Sequence, residues 1–474
     1  MTSLVSLGAS ELARLVHTRQ VSSREIIAAF LARIADRNPV FNAIVSQRPD
    51  EDVLREADEA DALLARGGRV GPLHGLPIAV KDLSATKGLR TTFGSPILAD
   101  FVPETDSILV ERLRRAGAII IGKTNTPEFG LGSHTYNPVF GVTRNAFDPS
   151  KSAGGSSGGT AVAVALHMLP VADGSDFGGS LRNPAAFNNI FGFRPSQGRV
   201  PSWPAADPFF SQLGTDGPMA RRTEDLALLF DVIAGYDRRA PLSLEKPSTS
   251  YTNDRRPIGQ PRIGWLGDLS GHLPFEPNIL ELCEAALKST STIGCHVDEV
   301  RPRFDFEALW KAFVVLRQFN LSARLKPLHD DPEKRALLKP EACWEVEGCL
   351  GLSAVDILAA SQTRAAWYTE VLRLFDSFDY LAIPSAQVFP FDVNKHWPDE
   401  IAGRKMDSYH RWMEVVALAT LSGCPVVNVP VGFSDGLPMG MQLIGRPRAD
   451  GDVLALARAY EEILPFETGA PLVA

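Results

Sequence analysis

Two glycine-rich segments, Gly154-Gly155-Ser156-Ser157-Gly158-Gly159 and Gly174-Ser175-Asp176-Phe177-Gly178-Gly179-Ser180, constrain this chain more than any other stretch. Between them, residues 160–171 are small and apolar, which predicts a buried helix followed by a strand. Glycine permits φ > 0 and lets backbone approach a ligand closely. A serine behind two glycines therefore sits at a sharp turn, its hydroxyl bare and the amides before it turned toward one point. That arrangement unites a nucleophile with oxyanion donors. Either loop alone would read as a linker or a plain turn. Two of them around an apolar segment argue for a built site.

A serine nucleophile needs a base. Of the nine histidines, His167 lies in the apolar run and reads as core, and His134 lies in a separate Gly-Ser loop. The other candidate is Lys81, at the end of Gly75-Leu76-Pro77-Ile78-Ala79-Val80-Lys81-Asp82. A lysine closing a β-branched strand is expected to be partly buried, and burial lowers its pKa. A neutral amine accepts a proton from serine, which an ammonium cannot do. From the strand alone, the favoured reading of Lys81 is a lysine that snorkels to the surface or pairs with Asp82.

Lys81, Ser156 and Ser180, spaced by 75 and 24 residues, resemble the amidase signature family together with the run 152–194. Further matching pieces are 75–82, 122–129, 216–221 and 436–447, so the resemblance spans nearly the whole chain. It implies a single α/β domain over 1–474, a mixed and mostly parallel sheet covered by helices on both faces. Residues 70–200 would be its catalytic core and 300–400 its variable pocket helices and loops. It implies a hydrolase that cleaves carboxylic amide bonds, not the peptide bonds of proteins, through an acyl-enzyme on Ser180. Ser156, after a cis Gly155–Ser156 bond, relays the proton to Lys81, and the amides of Phe177, Gly178, Gly179 and Ser180 hold the oxyanion. Ser157, Asp176 and Arg182 brace the loops, while Gly132 and Ser133 border the substrate. No cofactor or metal is implied. Asn188-Asn189 and Phe193-Arg194-Pro195-Ser196 depart from the usual pattern and weaken any transfer of substrate. Aromatic wealth between Trp203 and Trp397 leans toward small apolar or aryl amides, with ester or carbamate side activity. The alternative within the family is the glutamine-hydrolysing chain of a tRNA-dependent amidotransferase, although 375–391 is apolar where groups for the glutamine termini are expected.

The formal net charge of −8 argues against nucleic acid as a partner, because phosphate binding wants a basic face. Five cysteines without metal-ligand spacing read as free thiols in a reducing compartment. Residues 1–20 mix charges into their apolar pattern, unlike a signal peptide, and no apolar run reaches membrane-spanning length. The expectation is a cytoplasmic monomer or homodimer acting on a small-molecule amide, with no nucleic acid and no membrane.

Helices are predicted at 10–16, 22–34 and 51–66 as an outer layer, the second opening with a capping box from Ser22 to Glu25. Residues 117–124 match the phosphate-loop string, yet the middle positions include three isoleucines that belong in a strand, where their amides are spent. Pro127 further disfavours a helix starting at Lys123. A helix is expected from 181 onward, with Ser180 at its positive end. Residues 203–210 predict a pocket wall or a packed surface loop. The stretch 304–375 is predicted mostly helical, with Trp310, Phe313, Phe319, Trp344 and Trp367 at core positions.

Overall fold

The computed structural model describes residues 3–470. Helices α1 (Ala9–His17), α2 (Ser23–Phe41) and α3 (Asp50–Ala65) open the chain. The capping box forms as predicted: Ser22 Oγ accepts from the Glu25 amide at 3.1 Å, and Glu25 Oε2 accepts from the Ser22 amide at 2.8 Å. The second helix runs past the expected Ile34. Asn42, in the left-handed conformation, ends it, and Asn38 Oδ1 accepts from the amides of Ala43 and Ile44.

Strands β1 (Ile44–Val45), β2 (Pro77–Lys81) and β3 (Ile119–Thr124) form a small sheet, with β3 central. The phosphate-loop string thus lies in a buried strand: Lys123 Nζ donates to Ser84 O at 2.6 Å and Thr86 Oγ1 at 2.8 Å, inside the protein. Helix α4 (Gly158–Ala165) follows the first glycine loop, and all its residues are buried. Its valines each contribute about 2 kcal/mol by leaving water. Thr160 Oγ1 donates to Asp173 O at 2.9 Å, which ties α4 to the next strand.

That strand, β4 (Val171–Asp176), is the edge of an eight-stranded sheet. The others are β5 (Phe191–Arg194), β6 (Thr215–Ala220), β7 (Arg262–Trp265), β8 (His296–Glu299), β9 (Tyr380–Pro384), β10 (Val426–Ser434) and β11 (Leu437–Gly445). Their order is β8-β7-β9-β11-β10-β5-β6-β4. The sheet is mixed as expected, but it is not mostly parallel: only β8–β7 and β7–β9 run parallel, and the five remaining ladders are antiparallel. Short connections dictate this. Asp435 and Gly436, at φ 50° and 78°, make a two-residue turn between β10 and β11, which only antiparallel strands can share.

A five-residue helix, α5 (Asn183–Phe187), packs on β10 and β11. The long excursion α6 (Phe306–His329), α7 (Pro340–Leu350) and α8 (Ala354–Phe375) is helical as predicted. Trp310, Phe313 and Trp367 are core, whereas Trp344 is 38% exposed and Phe319 faces a cavity. Among the described residues no helix is long and apolar enough to cross a membrane.

Candidate active site

Burial of β2 decides the chemistry of its last side chain. All its residues are buried, and Lys81 has 0% of its surface exposed. The Lys81 amide donates to both carboxylate oxygens of Asp173 at 3.3 Å, so the strand ends against β4. Lys81 Nζ lies 2.8 Å from Ser156 Oγ, 2.8 Å from Ser157 Oγ and 3.0 Å from Ser175 Oγ. A neutral amine has two N–H donors and one lone pair. Donating to Ser157 and Ser175 leaves the lone pair for the Ser156 proton. Desolvation lowers the lysine pKa to about 7, although the charges of Asp173, Asp216 and Asp176 oppose the shift. The side chain does not snorkel. Asp82 is engaged elsewhere, its Oδ2 accepting from Thr92 Oγ1 at 2.6 Å.

The Gly155–Ser156 peptide is cis, as the resemblance implies. Ser156 and Ser180 line one cavity of about 570 Å³, together with Gly132, Phe177 and Gly178. No hydrogen bond joins the two serine hydroxyls among the described residues, a spacing common before substrate tightens a site. Ser133, expected to border substrate, does not reach the cavity: its hydroxyl donates to Gly155 O at 2.7 Å, supporting the loop from behind. Nor does Ser180 sit on the first turn of a helix. Helix α5 begins at Asn183 and is too short to present a helix dipole there.

Asp176 organises the second loop. Its Oδ1 accepts from the Gly179 amide at 2.8 Å and Arg182 Nη2 at 2.9 Å, and its Oδ2 accepts from the Leu181 amide and Arg182 Nε, both at 3.0 Å. Burial disfavours this carboxylate, but Arg182 and Arg194 outweigh it and hold the pKa well below the usual range. Arg182 spends its remaining donors on Val416 O, Gln442 Oε1 and Thr420 Oγ1. The Gly179 amide is therefore committed to Asp176 and does not serve an oxyanion, a correction to the four-amide expectation. Of the four amides, those of Phe177, Gly178 and Ser180 have no acceptor among the described residues. Glycine is required at 179, where φ is 101° and a Cβ would lie 2.3 Å from Asn183 Oδ1.

The two histidines are occupied with structure. His134 bridges Val393 O and Ser152 Oγ, and His167 bridges Val5 O and Ala470 O. Residues that the sequence did not single out complete the site. Ser175 touches Lys81, Asp173 holds its backbone, and Asp216 pairs with Ser175 across the β4–β6 ladder. From α6, Arg317 places its guanidinium 5.2 Å over the Phe177 ring while donating to Glu345 Oε1 at 2.6 Å and Tyr409 Oη at 2.9 Å. The signal for it was present: a charge at position 317 continues the apolar spacing of 310 and 313. Residues 204–208 and Phe210 form part of the cavity wall, one of the two roles that their composition allows.

An amidase family model matches residues 25–454. An acylamidase of Rhodococcus erythropolis is 33% identical over 471 residues, covering 98% of this chain and 97% of that protein. The A chain of the glutamyl-tRNA(Gln) amidotransferase of Methylococcus capsulatus is 34% identical over 489 residues, with 98% of each covered. Among solved structures, a bacterial aryl acylamidase of the amidase signature family superposes with a TM-score of 0.91 at 31% identity, covering 97% of this chain and 96% of that one. With a family match over most of its length and relatives alike from end to end, this chain belongs to the amidase signature family and is a hydrolase of amide C–N bonds.

Proposed function

We propose that the chain hydrolyses small apolar or aryl amides through an acyl-enzyme on Ser180. The contact that carries the reading is the 2.8 Å approach of a fully buried Lys81 Nζ to Ser156 Oγ. Ser180 Oγ attacks the carbonyl while its proton passes to Ser156 Oγ, and the Ser156 proton passes to neutral Lys81. The amides of Phe177, Gly178 and Ser180 donate to the tetrahedral oxyanion; losing one such donor typically costs ~10²–10³ in kcat. Lys81, again through Ser156, then protonates the leaving nitrogen, and water releases the acid by the same relay. Asp176 and Arg182 hold the loop, and Ser157 holds the lysine. Phe177, Phe210, Phe319 and Leu321 make much of the wall apolar, which supports an aryl or alkyl group beside the scissile bond. The likeness to a bacterial aryl acylamidase supports the same choice.

The base must be neutral to act, so kcat/KM is expected to rise with pH through about 7 and level off above it. Below the midpoint it should fall tenfold per pH unit; a profile flat from acid to alkaline pH would remove Lys81 as the base. Desolvation also raises Asp173 to about 6 and Asp216 to about 7, so the observed midpoint belongs to the three groups jointly. The negative charge of Asp216 favours the protonated lysine. Asp216→Asn is therefore expected to move the acid limb to lower pH; an unmoved or rising midpoint contradicts the coupling.

The equally similar amidotransferase chain supports glutamine as a second substrate reading. Purified protein should cleave aryl amides faster than it deamidates glutamine. The reverse ranking would replace the first reading by the second.

A further inference from the structure

Six charged side chains line the cavity: Asp176, Asp207, Arg317 and Lys326 have partners within the protein, Asp216 feels the Lys81 charge, and Arg324 stands apart. Arg317 is paired with Glu345, Lys326 Nζ lies 2.5 Å from Asp330 Oδ2, and Asp207 accepts from the Phe209 and Phe210 amides. Deeper in, Asp176 is neutralised by Arg182 and Arg194. Arg324 has no carboxylate partner among the described residues. The one hydrogen bond of its side chain among the described residues runs from Nη2 to Phe129 O at 3.1 Å.

The arginine is nonetheless held in place. Its guanidinium lies 5.1 Å from the Phe129 ring centroid and 5.7 Å from that of Phe93, an aromatic shelf within cation–π range. The residue is exposed where α6 lines the cavity, its guanidinium lying against the Phe129 and Phe93 rings. It is a cation at neutral pH with no countercharge. Arg324 also lies seven residues beyond Arg317, two turns along one face of α6, or about 10 Å of helix rise. Arg317 touches Phe177 beside the proposed oxyanion amides. The same cavity is lined by the carboxyls of Asp176, Asp207 and Asp216, so Arg324 is its one cation without a carboxylate partner among the described residues.

We propose that Arg324 is a subsite for a carboxylate that the substrate carries in addition to its scissile amide. The inference rests on the amide-hydrolase reading and narrows its substrate class to amides that also bear an acidic group. Charge-assisted bonds from a guanidinium to a carboxylate are about twice as strong as neutral ones, so the preference should be at least about tenfold.

The test compares matched pairs: glutaryl- and adipoyl-4-nitroanilide against valeryl- and hexanoyl-4-nitroanilide, and N-butyryl-4-aminobenzoate against N-butyryl-4-toluidine. In the wild type the carboxylate member of at least one pair should have the higher kcat/KM by about tenfold or more, chiefly through KM. Arg324→Gln should collapse that ratio toward one, and Arg324→Lys should retain most of it, which a merely structural role would not produce. No preference in any pair, or a preference that survives Arg324→Gln, overturns the subsite. If the neutral anilides are hydrolysed without such a preference, the subsite fails and the amide-hydrolase reading stands. If no anilide is hydrolysed, but the acidic ones raise the melting temperature of the wild type and not of Arg324→Gln, the subsite stands and the catalytic reading falls.

Discussion

Replacing Ser180 with alanine is expected to lower kcat/KM for any amide substrate by ~10⁴ or more while leaving the fold intact. The magnitude follows from losing the nucleophile of a unit whose members act together, in which removing one costs about as much as removing all. What survives is the catalysis by the free amides and by binding, which do not need the hydroxyl. Folding should be indifferent to the change because Ser180 Oγ makes no hydrogen bond within the described protein, and the side chain opens onto the cavity. Rapid-quench mass spectrometry with a slow aryl amide should show an acylated wild type, with the added mass mapping to the peptide that holds Ser180. Turnover within tenfold of the wild type, or acyl mass on another residue, would end the acyl-enzyme reading.

The largest expected effect on stability belongs to Asp176→Asn. Asp176, Arg182 and Arg194 all have side chains with 0% exposure, and this carboxylate is the only anion paired with either arginine among the described residues. Asparagine has nearly the same shape, so packing is spared and the charge alone is removed. Two guanidinium groups are then buried without a countercharge. Arg194 is already short of partners, for its Nε and Nη1 make no hydrogen bond. Breaking a buried ion pair from one side typically costs about 3–5 kcal/mol, more than the pair contributes over an apolar replacement. Chemical denaturation at pH 7 should show a loss of that order; a loss under about 1 kcal/mol would contradict the account.

The same pair sets an acid limit. The Asp176 pKa is depressed in the folded chain relative to its ordinary value of 3.8. Its contribution is therefore complete above the unfolded value and disappears as pH falls from there toward the folded pKa. Wild type should lose stability below about pH 4 by this route. Asp176→Asn, lacking the titrating group, should lack that portion of the loss. Activity should fall as well, since the Gly179 and Leu181 amides lose a charged acceptor and the amides of Phe177, Gly178 and Ser180 lose their fixed direction.

Several features were legible residue by residue because they depend on short-range chemistry. The capping box from Ser22 to Glu25, the buried helix after the first glycine loop and the strand through Ile119, Ile120 and Ile121 follow from local pattern. The lysine and two serines were recognisable because their types and spacing form a specific motif. Other features depended on partners far away in the chain. Whether the Gly179 amide serves an oxyanion or a carboxylate is set by the geometry of the loop around Asp176. Ser133 does not line the cavity, and its hydroxyl is taken by Gly155 O, 22 residues on. Asp173 and Asp216 look like ordinary strand residues until the β4–β6 ladder and the end of β2 bring them to Lys81. The sheet's mainly antiparallel character follows from which strands pair, and alternating helices and strands do not specify that.

Amino-acid order alone was enough to nominate the reacting groups, since chemistry resides in side-chain type and a glycine-serine turn is a local object. The protonation of Lys81, the number of free amides and the unpaired charge of Arg324 were decided only on folding. Each is an electrostatic property, and it depends on which distant groups displace water from around a charge.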